Sequence, residues 1–205
     1  MIKKLAAMNK DTNRFELVEL SNDSSKFIKV ELARRTDIPN SILLKFAENE
    51  NEHESVKIQV ARNSISDEEI LLVLANDKNA EIRSEVFTNP NVTEAVLEIL
   101  ASDENEHIRF GVAAHNNSTS KILDRLAKAS NSEIRGLVAM NNNTSEETRL
   151  KLTEDENKDV SHTAKWKLGM LKDEANYVEP KIQINALKVD DEFESIVVDF
   201  DLVKK

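Results

Sequence analysis

The chain has 205 residues, a formal net charge of −10 and a hydrophobic fraction of 40%, a balance typical of a folded, soluble protein rather than a disordered one. It contains no cysteine and only three glycines, which lie far apart. Disulfides, cysteine-based metal sites, thiol catalysis and a glycine-rich phosphate loop are therefore excluded. The acidic charge also makes binding to nucleic acid unfavourable.

The amino-terminal segment has two lysines but lacks the apolar run of a secretory signal. No stretch of the chain approaches the roughly 20 apolar residues of a membrane-spanning helix. We therefore expect a cytoplasmic protein without a membrane partner.

A hydrophobic anchor recurs along the chain, with a spacing of 26 residues in all steps but one. The anchors are Ile2, Ile28, Val56, Ile82, Ile108, Ile134 and Val160. Further apolar columns four and five, and again 14 to 19, positions after the anchor form two helical stripes. Each unit is thus predicted to be two short helices, and stacking buries both stripes. The fold class is an all-α solenoid of about six 26-residue repeats forming a right-handed superhelix.

Polar residues predict the turn inside each unit. Asparagines are expected to end the first helix in the left-handed conformation; they are Asn9, Asn63, Asn89 and Asn141. Hydroxyl side chains are expected to cap the second helix; they are Thr12, Ser66, Ser118 and Thr144. Two of these hydroxyls precede a glutamate by three residues, as in a capping box. Pro39 is placed at a first helical position, and His115 takes the turn role of the asparagine.

The stretch from Phe87 to Asp103, continuing to His107-Ile108-Arg109, resembles the leucine-rich repeat variant, a HEAT-like α-solenoid family. The repeat of that family is similar to V-A-x-N-P-N-T-P-x-x-L-L-x-x-L-A-x-D followed by V-R. The resemblance spans roughly residues 1–168 and implies a protein-binding scaffold. The cysteine cluster of one iron–sulfur member is missing here, so no redox role carries over.

After Val160 the period fades, and Trp166 and Leu171 predict a closing helix that ends near Lys172. Beyond Pro180, apolar and polar residues alternate with period two, which predicts a β-hairpin. We therefore divide the chain into a solenoid, 1–172, and an acidic extension, 173–205. Docking of the hairpin on the solenoid, addition to a partner's sheet and a mobile tail all stay open.

A basic column runs through the units, and an acidic column lies six residues before the next basic position. The basic members are Lys3, Lys29, Lys57, Arg83, Arg109 and Arg135; the acidic members are Asp23, Asp77, Asp103 and Asp155. The basic column could bind phosphates or an acidic peptide, but the paired columns favour a structural set of ion pairs between units. Ala129 stands six residues before Arg135, so we expect Arg135 to be freer for a ligand.

Two further surfaces are candidate partner sites. An apolar column outside the core stripe consists of Val18, Leu44 and Leu72, joined by Val73 and Ile99. It is either a partner groove or additional packing between layers. An acidic edge follows the second helices, with Glu48, Glu50, Glu52, Glu54, Asp103, Glu104 and Glu106. It is either a solvated edge or a surface that recognises a basic protein.

The four histidines fall at different repeat positions and no nucleophile elbow occurs, so we assign no catalytic, metal or cofactor residue and no small-molecule substrate. We predict a non-enzymatic protein–protein interaction module, an adaptor or scaffold. One alternative is an acidic inhibitor, an immunity or anti-defence protein that masks a basic nucleic-acid-binding enzyme. The other is a DNA-binding protein of the HEAT-like DNA glycosylase type, although that class has a basic concave surface.

Overall fold

The computed structural model describes residues 2–171 and the backbone of two strands, 182–189 and 193–200. The helices within residues 2–171 form six pairs and a closing helix. In chain order they are α1 (Ile2–Met8), α2 (Arg14–Leu20), α3 (Lys26–Ala33), α4 (Asn40–Glu48), α5 (Glu54–Arg62), α6 (Glu68–Leu74), α7 (Ala80–Phe87), α8 (Glu94–Leu100), α9 (Glu106–Ala114), α10 (Ser120–Leu126), α11 (Ser132–Met140), α12 (Glu146–Leu152) and α13 (Lys158–Lys167). The predicted all-α solenoid of two-helix units is confirmed.

The helices stack in two rows, and the core lies between the rows. The odd-numbered helices pack on each other from α1 to α13, and in the other row α4 packs on α6 and α6 on α8. Both predicted stripes are buried, with Val56, Leu71 and Ile108 fully inaccessible. Ile2, the anchor of the first unit, is 85% exposed, because α1 is the first helix of the stack. None of the helices within residues 2–171 is both long and apolar enough to cross a bilayer.

Two of the turn asparagines, Asn63 and Asn141, do not adopt the left-handed conformation, so the prediction is wrong for these two. Asn63 and Asn141 end their helices with φ of −70° and −62°. Their side chains reach into the preceding unit instead: Nδ2 of Asn63 donates to the carbonyl oxygens of Ala33 and Arg35 at 2.6 and 2.8 Å. Asn89 and Asn141 make the same pair of bonds. We call these three residues the inter-unit asparagines.

Three other side chains make some of the bonds that the inter-unit asparagines make, and one of them, Arg35, reaches the preceding unit. Nη1 of Arg35, in the asparagine position of the second unit, donates to the carbonyls of Ala7 and Asn9 at 2.9 and 2.7 Å. Arg149 bonds the last turn of α11 in a similar way. His115 keeps only the turn function, because its Nδ1 accepts the Asn117 backbone N–H at 3.0 Å. The predicted turn role of His115 is confirmed.

The hydroxyl residues predicted as N-caps lie one position too early. Oγ of Ser66 donates to the Val60 carbonyl at 2.6 Å, and Thr12, Ser118 and Thr144 make equivalent bonds. These buried hydroxyls satisfy the open carbonyl of the first helix. The caps with side-chain bonds follow them, at Asn13, Asp67 and Ser145. The two predicted capping boxes are therefore wrong, and Pro39 is itself an N-cap rather than the first helical residue.

The chain divides into two compact parts, Met1–Leu168 and Gly169–Lys205. Helix α13 ends at Lys167, five residues before the predicted end, and Gly169 follows with φ of +65°, a conformation that terminates helices. In the second part of the chain, β1 (Ile182–Val189) pairs antiparallel with β2 (Phe193–Phe200), as the alternating pattern predicted. Docking of this pair would depend on side chains that lie outside the described residues.

Candidate functional site

Two arginines of the basic column, Arg83 and Arg135, each join two successive turns of the solenoid. Nε and Nη2 of Arg83 donate to the two carboxylate oxygens of Asp103 at 2.7 and 2.8 Å. Nη1 of Arg83 donates to the carbonyl of Asp77 in the preceding turn at 2.8 Å. Arg135 repeats this arrangement with Asp155 ahead of it and Ala129 behind it. The predicted structural pairing of the basic and acidic columns is confirmed for these residues.

Lysines of the first three units also form ion pairs. Lys3 contacts Asp23, and Lys57 contacts Asp77, both at 2.7 Å. Lys29 contacts a different carboxylate, Glu52, because the second unit carries two extra residues. We call these pairs, together with those of Arg83 and Arg135, the ion-pair ladder.

The ladder shifts the titration of its carboxylates. Burial disfavours the charged form of Asp103, but hydrogen bonds from Arg83 and from the Asn105 backbone outweigh it, so the pKa of Asp103 lies below its ordinary value. The hydrogen bond from Arg135 likewise lowers the pKa of Asp155. Both aspartates are therefore charged at neutral pH.

The expectation that Arg135 is freer for a ligand because Ala129 stands six residues before it is wrong. Each pair joins a cation to the carboxylate about 20 residues later in the sequence, not to the one six residues earlier. Arg135 therefore binds Asp155, and only 9% of its side chain is exposed. The residue that faces Ala129 in this pattern is Arg109, whose Nη1 bonds the carbonyls of Asp103 and Glu104.

The apolar column lies on the second-row helices, as its sequence positions require. Val18 on α2 is 44% exposed. Leu44 on α4, Leu72 and Val73 on α6 and Ile99 on α8 are half-buried. In the next two units the column becomes polar and bonds between layers: Lys121 pairs with Glu98, and Thr148 donates to Asp124.

Several exposed apolar residues of the first two units were missed by the sequence analysis. Phe15 on α2 is 72% exposed and lies three residues before Val18, on the same helix face. Others are Ile2, Leu5, Met8 and Phe27. The sequence did contain a signal, because the equivalent residues of the other units are small or polar, for example Ser41 and Glu69. We call Phe15, Val18, Leu44 and Leu72 the apolar strip.

Two open grooves lie beside the first units. One, of about 780 Å³, is lined by Ile2, Lys3, Lys4, Asp23, Ser25, Phe27 and Ile28. The other, of about 500 Å³, adjoins the starts of α2 and α4 and includes Arg14, Leu17 and Pro39 in its lining. Both combine apolar and charged side chains.

The acidic edge is only partly available to a partner. The carboxylates of Glu52 and Asp103 are buried in the ion-pair ladder. The other predicted members are exposed; they are Glu48, Glu50, Glu54, Glu104 and Glu106. The side chain of Glu104 is 88% exposed. Within residues 2–171, no group of three or more histidine, aspartate and glutamate side chains could hold a metal ion.

Comparison with known proteins gives no family model and no curated protein that matches the chain. Among solved structures, it is similar to a leucine-rich repeat variant, with 17% identity, 80% of each chain covered and a TM-score of 0.41. It is also similar to computationally designed armadillo repeat proteins for modular peptide recognition, with 16% identity, 83% of this chain and 90% of that chain covered, and a TM-score of 0.33. The first is of the type that the sequence resembles. The solenoid assignment itself rests on the helices described above.

Proposed function

We propose that this chain is a non-enzymatic, cytoplasmic protein-interaction module, an adaptor or scaffold, that binds a partner protein through the apolar strip. The observation that carries the proposal is the exposure of Phe15 and Val18 on one face of α2, at 72% and 44%. Neighbouring exposed apolar side chains mark interaction surfaces on soluble domains, and an aromatic residue is a frequent anchor of such surfaces.

Packing between layers accounts for part of the strip. Leu44 and Leu72 are half-buried, and their helices α4 and α6 pack on each other. This does not account for Phe15 or Val18, whose side chains remain in water. Covering Phe15 would contribute about 2 kcal/mol of hydrophobic free energy. The centre of the proposed site is therefore α2, with Leu44 and Leu72 extending it.

The exposed carboxylates of the acidic edge favour a second candidate, an acidic inhibitor that masks a basic enzyme. Glu48, Glu50 and Glu54 lie in and beside the loop between α4 and α5 and all face solvent. Such a cluster would speed association with a basic protein, in a manner that salt weakens. DNA binding gains no support, because Lys57, Arg83 and Arg135 of the basic column are bound to carboxylates.

The test is capture of partner proteins on the immobilised full chain, quantified at low and high salt. Phe15→Glu/Val18→Glu should abolish retention of a stoichiometric partner. Leu150→Glu is the matched control, since Leu150 occupies the same repeat column as Val18 and is 42% exposed, but lies in the last helix pair. Retention that survives the double substitution and is lost in high salt would replace the first candidate with the second.

A further inference from the structure

One position of the ion-pair ladder lacks its carboxylate. Arg83 and Arg135 each direct Nε and Nη2 at an aspartate 20 residues later. The residue 20 positions after Arg109 is Ala129, whose methyl group accepts no hydrogen bond. The layer that follows Arg109 therefore has the arginine of the ladder without its acceptor.

A second donor loses its partner at the same place. The ladder aspartates also accept a backbone N–H two residues ahead: Asp103 Oδ1 accepts that of Asn105 at 2.8 Å, and Asp155 Oδ1 that of Asn157 at 2.9 Å. In the unit with Ala129 the equivalent donor is the N–H of Asn131, and it has no acceptor among the residues that the structure describes. One missing carboxylate thus leaves Nε of Arg109 and the Asn131 amide without an acceptor among the described residues, while Nη2 of Arg109 has only a 3.4 Å bond to Glu106 of its own helix.

Arg109 is held in the same way as its counterparts. Its Nη1 donates to the carbonyls of Asp103 and Glu104 at 2.6 and 3.0 Å, as Arg83 and Arg135 do in their own layers. Its side chain is 24% exposed, against 8% for Arg83 and 9% for Arg135. The guanidinium is therefore fixed by the backbone and also reachable from solvent.

We propose that this position binds a carboxylate group of another molecule. One carboxylate would accept Nε and Nη2 of Arg109, in the bidentate geometry that guanidinium groups favour, and one of its oxygens would also accept the N–H of Asn131. Binding of a carboxylate stands on this geometry alone. Its assignment to an aspartate or glutamate side chain of a partner protein rests on the proposed function.

Neighbouring acidic groups limit the affinity for a single carboxylate. Glu106 Oε1 lies 3.4 Å from Nη2 of Arg109, so it must move aside when the ligand binds. The exposed Glu104 adds negative potential at the same turn. We therefore expect weak binding of an isolated carboxylate. In a complex that also uses other parts of the surface, the contact to Arg109 should favour partners that carry a carboxylate at this place.

The probe is sodium acetate, titrated against chloride at constant ionic strength, with the Asn131 backbone amide and the Arg109 Nε–H followed by NMR in the full chain. The expected result is a saturable shift of both signals. In Ala129→Asp, the new side chain should shift both signals without acetate and abolish their response. In Asp155→Ala, a new response should arise at Asn157, because the same vacancy is then opened beside Arg135.

An Asn131 amide that does not respond, or that responds equally in Ala129→Asp, would overturn the proposal. If Asp155→Ala does not fold, the comparison of wild type with Ala129→Asp is sufficient. The partner assignment has its own test, since Ala129→Asp should weaken capture of the protein retained through the apolar strip. If Ala129→Asp leaves capture unchanged, the assignment to a partner carboxylate is wrong. If acetate shifts neither signal but Phe15→Glu/Val18→Glu still abolishes capture, the carboxylate site is wrong and the proposed function stands.

Discussion

Arg83 holds both carboxylate oxygens of Asp103, at 2.7 and 2.8 Å, with 8% and 5% of the two side chains exposed. The third nitrogen of the same guanidinium bonds the preceding turn. A single side chain thus ties together the two turns on either side of its helix pair.

Removal of one partner from this pair should destabilise the solenoid strongly. In Asp103→Ala the Arg83 guanidinium stays largely buried without its counter-ion, and the free energy of unfolding should fall by about 3 kcal/mol. Urea denaturation followed by circular dichroism measures this change. Lys3→Ala is the control, because Lys3 makes a ladder contact from an exposed side chain and its loss should change little. Equal losses in the two variants would refute the role of burial.

Acid should weaken the same ladder. The pKa values of Asp103 and Asp155 lie below the ordinary value of 3.8 in the folded chain, so the unfolded chain takes up protons first. Stability from these groups is present above about pH 4 and is lost as the pH falls through the depressed pKa. Melting temperatures from pH 5 to pH 2 should fall less steeply in Asp155→Asn than in wild type. Parallel curves would contradict the assignment.

Completion of the ladder should stabilise the chain. Ala129→Asp provides an acceptor for Nε of Arg109 and for the Asn131 N–H, and hydrogen bonds to a charged group should add about 1–2 kcal/mol. Differential scanning calorimetry should show a higher melting temperature. The control is Ala129→Asn, which has nearly the same shape but no charge and should gain less. A lower melting temperature for Ala129→Asp would show that the position does not match its counterparts.

The turn at His115 should depend on pH. Burial lowers the pKa of His115, and its Nδ1 must stay unprotonated to accept the Asn117 N–H. Because the folded pKa lies below the unfolded one, the contribution of His115 is present above about pH 6.5 and is lost as the pH falls from there through the folded pKa.

The substitution His115→Asn tests this interpretation. An asparagine here should keep the turn and also donate to the carbonyls of Phe87 and Asn89, as the inter-unit asparagines do to theirs. Thermal melts should show a gain of about 1 kcal/mol per bond and a flatter profile between about pH 5 and 7. The variant His115→Ala should lose stability above about pH 6.5, where the contribution of His115 is fully present, and the loss should shrink as the pH falls. A gain above about pH 6.5 would exclude the hydrogen-bond explanation.

The repeat made the architecture predictable and left the connections between units ambiguous. Helix positions follow from apolar columns, because only stacked pairs bury both stripes. In a periodic sequence, however, each cation has one position of the acidic column before it and one after it. The sequence analysis paired Arg135 with the earlier position, 129, whereas Arg135 binds Asp155 in the later one. The donors of Asn63 find their acceptors 28 and 30 residues away, beyond the reach of local turn rules. The exposure of Phe15 is indicated only by the whole column, because the equivalent residues of the other units are small or polar.

The inter-unit bonds also have a direction along the chain. Asn63, Asn89 and Asn141 donate to carbonyls that precede them in sequence, and Arg35 does the same toward the first unit. During synthesis on the ribosome the amino-terminal part emerges first, so each new unit meets acceptors that are already in place. The direction of these bonds therefore allows the solenoid to close in the order in which its units are made.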